Sequence, residues 1–195
     1  MRAYMLAIAA TLGLTLAGLG TAHASGDTPD LPDHDWNHTG IFSTFDRAEL
    51  QRGFQVFQEV CASCHSLDFI AFRNLTEIGF NADQVKAIAA EYEVEDGPDD
   101  EGEMFMRAAR ASDYFPAPFA NPQAARAANS GAFPPDLSVI VKARDFGLDY
   151  LYALLTGYEE EPPEGVELAD GMSYNHFFPG QQIAMPEPLY EEAVE

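Results

Sequence analysis

Apolar residues recur at helical spacing through residues 46–62, and Leu50, Phe54, Phe57, Cys61 and Cys64 share one face of the helix this predicts. Asp46 stands where an N-cap is needed, and Glu49 fits as its capping-box partner. Gly53, inside that helix, costs about 1 kcal/mol against alanine, so its presence suggests close approach by another backbone. A second helical period covers residues 81–92: Asn81 and Gln84 form its capping pair, and Val85, Ile88, Ala89 and Tyr92 its apolar face. Met104 and Met106 fall in a charged helical run, residues 102–110, and read as packing residues. Pro116, Pro118 and Pro122 make their segment irregular. Further helices are expected at about 123–129, with Gly131 as the stop, at about 136–145 behind Pro134 and Pro135, and at 148–156, ended by Gly157. Residues 25–45 read as an extended arm whose Trp36 packs on the domain body, 91–103 as an acidic turn-rich loop, and 158–182 as a long proline-containing loop. Strand alternation is not convincing anywhere, and there are no internal repeats. The expected fold class is mostly α, with long irregular loops.

The N-terminus changes the domain boundaries. An apolar stretch over residues 3–20 follows Arg2 and runs into Ala22-His23-Ala24, the small-residue pattern of signal-peptide cleavage. Residues 1–24 are therefore expected to be a signal peptide and residues 25–195 one domain. That leaves about 170 residues, enough for a core of its own. No later stretch is long and apolar enough to span a bilayer. The chain carries 32 Asp and Glu against 10 Lys and Arg, a net charge of −22. A polyanion would be repelled, which argues against nucleic acid; a basic protein partner gains in encounter rate, although plain solubility accounts for the charge equally well.

An exported chain enters an oxidising compartment, and Cys61 and Cys64 are its only cysteines. A redox-active C-x-x-C pair is one reading. Zinc is another, but it needs four ligands and there is no second cysteine pair. His65 favours a third, C-x-x-C-H haem attachment, in which both thiols tether one porphyrin and the adjacent imidazole reaches the iron. An iron that only carries electrons takes a second axial ligand. Met104, Met106, Met172, Met185, His34, His38 and His176 are candidates, and Met185 is preferred. Pro186 forces an extended backbone at Met185, and its distance downstream lets the chain wrap to the opposite haem face. Met172 and His176 stand behind it. Among the few cations, Arg126, Lys142 and Arg144 lie in or beside apolar helices and are candidates for propionate binding.

Five stretches carry a resemblance to a known family. WNHTGIFSTFD (36–46), QRGFQVFQEVCASCHSL (51–67), ARAANSGAFPPDLS (125–138), DYLYALLTGY (149–158) and FFPGQQIAMP (177–186) resemble, in order, the cytochrome c1 family, the haem subunit of quinol–cytochrome c oxidoreductase. The resemblance covers nearly all of residues 34–195. It implies one covalent haem c held by Cys61 and Cys64, with His65 and Met185 as the iron ligands. It also implies that Arg144 and Tyr150 contact haem propionates and that Asn129 and Pro135 line the haem pocket. The implied activity is one-electron transfer from the Rieske iron–sulfur protein to a soluble, usually basic, cytochrome c, beside cytochrome b. The implied location is the periplasmic side of a bacterial inner membrane. A free-standing periplasmic cytochrome c and a haem peroxidase are the rival readings. Family chains continue past the AMPEPLYEE stretch into a final helix and a membrane anchor, so the domain is expected to be C-terminally incomplete. The Phe54 and Phe57 face of the first helix is then expected to lack its cover.

Overall fold

In the computed structural model, which describes residues 30–194, helix α1 runs Arg47–Glu59 behind Asp46, whose carboxylate accepts from the N–H groups of Ala48 and Glu49. The signal peptide expected over residues 1–24 lies outside the described residues. Glu49 does not return the capping bond: its carboxylate accepts from Asn37 Nδ2 at 2.9 Å and ties the arm to the helix start. Trp36 packs on the body as expected, its indole N–H donating to Asp149 while the tilted His34 ring lies 4.3 Å away and Tyr152 meets it edge-on at 6.0 Å. Gly53 departs from expectation. It is exposed, and a Cβ there would meet nothing within 4 Å. It lines an open cleft with Trp36, Phe45, Leu50 and Leu148.

Beyond a 3-10 turn at Cys61–Ser63 and a 3-10 segment at Phe72–Ile78, helix α2 spans Ala82–Ala90. Its capping box is complete: Asn81 Oδ1 accepts from Asp83 and Gln84, and Gln84 Oε1 accepts from the Asn81 N–H. The core forms between α1, the 3-10 segment and α2 from buried Phe54, Phe72, Leu75, Val85, Ala89, Ala109 and Phe115. The ring of Phe72 lies 4.1 Å from that of Phe115, and Phe54 meets Phe80 and Phe115 near edge-on at 5.7 and 6.0 Å. Phe54 is thus covered by residues of the described chain and Phe57 only half-buried, so the expectation that this face lacks its cover is corrected at Phe54 and only in part at Phe57.

The acidic loop and the run after it form an antiparallel pair, β1 (Glu93–Asp96) and β2 (Phe105–Ala108), in the register Glu93↔Ala108 to Asp96↔Phe105. The expected helix over 102–110 is therefore absent. Met104 and Met106 are 52% and 58% exposed rather than packed inside. Side-chain bonds that local periodicity cannot show explain the change. Asp99 Oδ1 accepts from the N–H groups of Glu101 and Glu103 and closes the turn. Arg107 bridges Asp96 on the facing strand and grips Asp113 with both Nη atoms at 2.6 and 3.2 Å. Arg107, with the Arg110 N–H, holds the Asp113 carboxyl at about 2 against an ordinary 3.8. A depressed acid contributes its stability above the unfolded value and loses it as pH falls through the folded one. Amide protection in the hairpin is therefore expected to fall between about pH 4 and pH 2, and Asp113→Asn to flatten that dependence; hydrogen exchange against pH checks it.

Helix α3, Pro122–Ala128, has Asn121 as N-cap and Asn129 as C-cap, with Ser130 and Gly131 at φ 51° and 91° making the expected stop. The helix expected at 136–145 is a succession of turns. Helix α4, Gly147–Thr156, ends at Gly157 as expected. Within the predicted loop 158–182, Ser173–Tyr174 (β3) pairs antiparallel with Gln182–Ile183 (β4), and Tyr158 forms an isolated bridge with Asn175. Helices make up most of the regular structure, and the two short strand pairs correct the expectation of none. Among the described residues no helix is long and apolar enough to cross a membrane.

Candidate functional site

The Cys61 carbonyl accepts from the N–H groups of Cys64 and His65 at 3.1 and 2.9 Å, which winds the C-x-x-C-H segment into one tight turn just after α1. Both thiols are free and half-buried. Burial pushes the Cys61 thiol above its ordinary value, and the neighbouring Cys64 adds to the shift. His65 Nδ1 lies 2.7 Å from the Pro135 carbonyl oxygen. A carbonyl can only accept, so Nδ1 carries the proton and the Nε2 lone pair is left for a metal.

That histidine is held by lacing between residues 65–69 and 135–138. The Ser66 hydroxyl and the Asp68 N–H both donate to Asp136 Oδ2, at 3.0 and 2.7 Å. The Phe69 N–H donates to Ser138 Oγ, and the Leu137 N–H to the Ser66 carbonyl. Burial pushes the Asp136 carboxyl up, but the donors from Asp68, Ser138 and Ser66 outweigh it and leave the carboxyl below its ordinary range. This explains the missing helix at 136–145. Asp136, which would start it, spends one carboxylate oxygen on a segment distant in sequence, and its other oxygen on the nearby Ser138 N–H.

Met185 sits on a strap that packs against α4. Asn175, fully buried, holds the strap down. Its Nδ2 donates to the Leu154 carbonyl at 2.8 Å, and its Oδ1 accepts from the N–H groups of Phe177 and Phe178. The His176 N–H reaches the Gly157 carbonyl at 2.9 Å. Only glycine fits at 157, because a Cβ would lie 2.4 Å from the Phe177 ring and 2.7 Å from the Ala153 carbonyl. The Tyr158 hydroxyl donates to the Met185 carbonyl at 3.1 Å. Burial, with Glu187 and Tyr150 nearby, holds that hydroxyl well above the ordinary phenol range, so it stays a donor. Met185 is half-buried, whereas Met104, Met106 and Met172 are exposed. His34 and His38 are engaged by the aromatic arm, and His176 is exposed, its ring against Phe177.

Tyr150 is buried on α4, and burial raises its hydroxyl against the opposing pull of Arg144. Arg144 is exposed, and its Nη1 donates to the Ala143 carbonyl. Lys142 is exposed on the same run of turns. Arg126 is used within its own loop, donating to the Gly131 carbonyl with its guanidinium over the Phe133 ring. Asn129 Nδ2 donates to the Ala125 carbonyl and closes α3. Among the described residues no hydrogen bond joins the His65 turn to the Met185 strap; they are separate pieces, each anchored in its own way.

Sequence reasoning missed Asp136, Asn175 and Tyr158. Asp136 follows a proline pair and reads as the start of a helix; Asn175 carries a turn signal, an Asn two residues before Phe-Phe-Pro-Gly, but nothing that reports its burial. The donors present are two thiols on one turn, one imidazole nitrogen freed by its carbonyl partner, and one half-buried thioether. They suit a covalently tethered iron porphyrin. They do not suit zinc: among the described residues no three His, Cys, Asp or Glu side chains gather to hold a metal.

The model of the cytochrome c1 family matches residues 36–195. The chain is 57% identical over 162 residues to "Cytochrome c1, heme protein, mitochondrial" of Schizosaccharomyces pombe, covering 83% of this chain and 52% of that protein. It is 55% identical over 164 residues to "Cytochrome b-c1 complex catalytic subunit, mitochondrial" of Candida albicans, covering 84% and 57%. It is 47% identical over 210 residues to "Cytochrome b/c1" of Bradyrhizobium diazoefficiens, covering 97% and 31%. The chain thus spans about half the length of the first two relatives.

Proposed function

The chain belongs to the cytochrome c1 family, and from that premise we propose that it is the electron-transfer haem subunit of a quinol–cytochrome c oxidoreductase. It takes electrons one at a time from a Rieske iron–sulfur protein and passes them to a soluble, basic cytochrome c. It works beside cytochrome b on the periplasmic side of the inner membrane and is not a catalyst on its own. The two relatives whose names place them in a b-c1 complex or a cytochrome b/c1 protein support this setting. The observation that carries the reading is the bond from His65 Nδ1 to Pro135, which leaves Nε2 free on the same turn as both thiols.

When bound, haem c supplies one-electron iron chemistry. Cys61 and Cys64 would hold it through thioether bonds. His65 Nε2 would hold the iron on the tethered side, its ring kept in orientation by Pro135 and, through the lacing, by Asp136. The Met185 sulfur would be the second protein donor to the iron; a soft thioether would favour ferrous iron and raise the potential. Arg144 and the Tyr150 hydroxyl serve the propionates, and Asn129 and Pro135 line the pocket. The net charge of −22 favours a basic acceptor by raising the encounter rate.

Produced in cells with a working haem-ligation apparatus, the full gene product is expected to keep its pigment through acid–acetone extraction. It is expected to purify with a b-type cytochrome and a Rieske protein. Pigment lost on extraction would overturn covalent attachment. Pigment retained without those companions would leave a free-standing cytochrome.

A further inference from the structure

The segment carrying Met185 is lightly held. Strand β4 ends at Ile183, and Pro186 and Pro188, just beyond it, have no N–H to donate. Among the described residues, 184–189 make no hydrogen bond except the one that the Met185 carbonyl accepts from the Tyr158 hydroxyl at 3.1 Å. Tyr158 itself is well placed to hold still. It directly follows Gly157, where α4 stops, its backbone bridges buried Asn175, and its ring is half-buried. The phenol thus connects the rigid end of α4 to the 184–189 end of the strap, which hydrogen bonds otherwise fix only through β4.

We propose that Tyr158 is the positioning residue for the distal ligand: by clamping the Met185 backbone it sets how readily the thioether gives way to another ligand. The inference rests on the reading of Met185 as the distal ligand. Tyr158 touches neither iron nor haem in this role. It acts by restricting the strap, so that the sulfur, once displaced, remains close to its site. Without the hydroxyl the strap swings free from Ile183 onward, and an external ligand competes with a less confined sulfur.

The test uses the haem-loaded full-length protein with imidazole as the competing probe for the ferric iron, read by loss of the thioether-to-iron charge-transfer absorption. Tyr158→Phe is expected to bind imidazole about two- to tenfold more tightly than the unaltered protein, the range a single hydrogen bond commands. Tyr92→Phe is the control. It removes the acceptor of Gln58 Nε2 in the core, costs a comparable bond, and is expected to leave imidazole affinity unchanged. Equal affinity in Tyr158→Phe and the unaltered protein overturns the proposal, as does an equal shift in Tyr92→Phe, which would mark general loosening. A ring-fluorinated tyrosine at position 158, a stronger donor of the same shape, is expected to lower imidazole affinity. Its failure to do so overturns the proposal even if Tyr158→Phe yields too little protein. Absence of the charge-transfer band in the unaltered protein defeats the Met185 reading itself, and this inference with it; a band present with no response to Tyr158 defeats the inference alone.

Discussion

Met185→Leu is expected to keep the pigment and lose the potential. The tether proposed at Cys61 and Cys64 would not depend on residue 185, so haem content should be unchanged. Leucine fills a similar volume but has no lone pair, so the iron loses its soft sixth donor. The midpoint potential is expected to fall by on the order of hundreds of millivolts, within the range that axial ligation spans, and the sixth position is expected to open to small ligands. Potentiometric titration measures the first effect and carbon monoxide binding to the ferrous protein the second. An unchanged potential would move the ligand to Met172 or His176, although both are exposed.

Asn175→Ala is expected to be the most destabilising single change in the strap. Alanine leaves the Leu154 carbonyl without its donor and the N–H groups of Phe177 and Phe178 without their acceptor. Asn175 is fully buried, and water is not at hand to replace it. At the usual cost of an unmade buried bond the total is about 3–5 kcal/mol, a large part of the stability of an ordinary domain. Chemical denaturation should show a lower midpoint with little change in slope. A loss below about 1 kcal/mol would mean that these backbone groups find other partners.

The fold was legible where its signals are local. Asp46 starts α1, the Asn81–Gln84 pair starts α2 and Gly157 ends α4, because each device acts within a turn of the residues it caps. It was illegible where a side chain works at long range. Glu49 answers Asn37 instead of its own cap, Arg107 answers Asp96 and Asp113, and Asp136 answers Ser66 and Asp68. In each case a charged residue that the local pattern assigns to its own helix is spent on tertiary structure. The candidate site divides the same way. Two thiols and an imidazole within five residues declare their chemistry in sequence, and Pro186 marks the backbone at Met185. The residues that hold these groups, Asp136, Asn175 and Tyr158, become visible only when segments far apart in sequence meet.

The bond between His65 and Pro135 joins residues 70 positions apart, and closing a loop of that length costs about 4 kcal/mol in chain entropy. During synthesis the cysteine turn emerges first, and its imidazole has no carbonyl to orient it until Pro135 has been made. A haem-attaching enzyme, on the reading proposed above, would therefore meet sulfurs on a loose thread. On that reading, the orienting of His65 toward an iron would follow the attachment of the porphyrin to the thiols, once the segment carrying Pro135 has joined the turn.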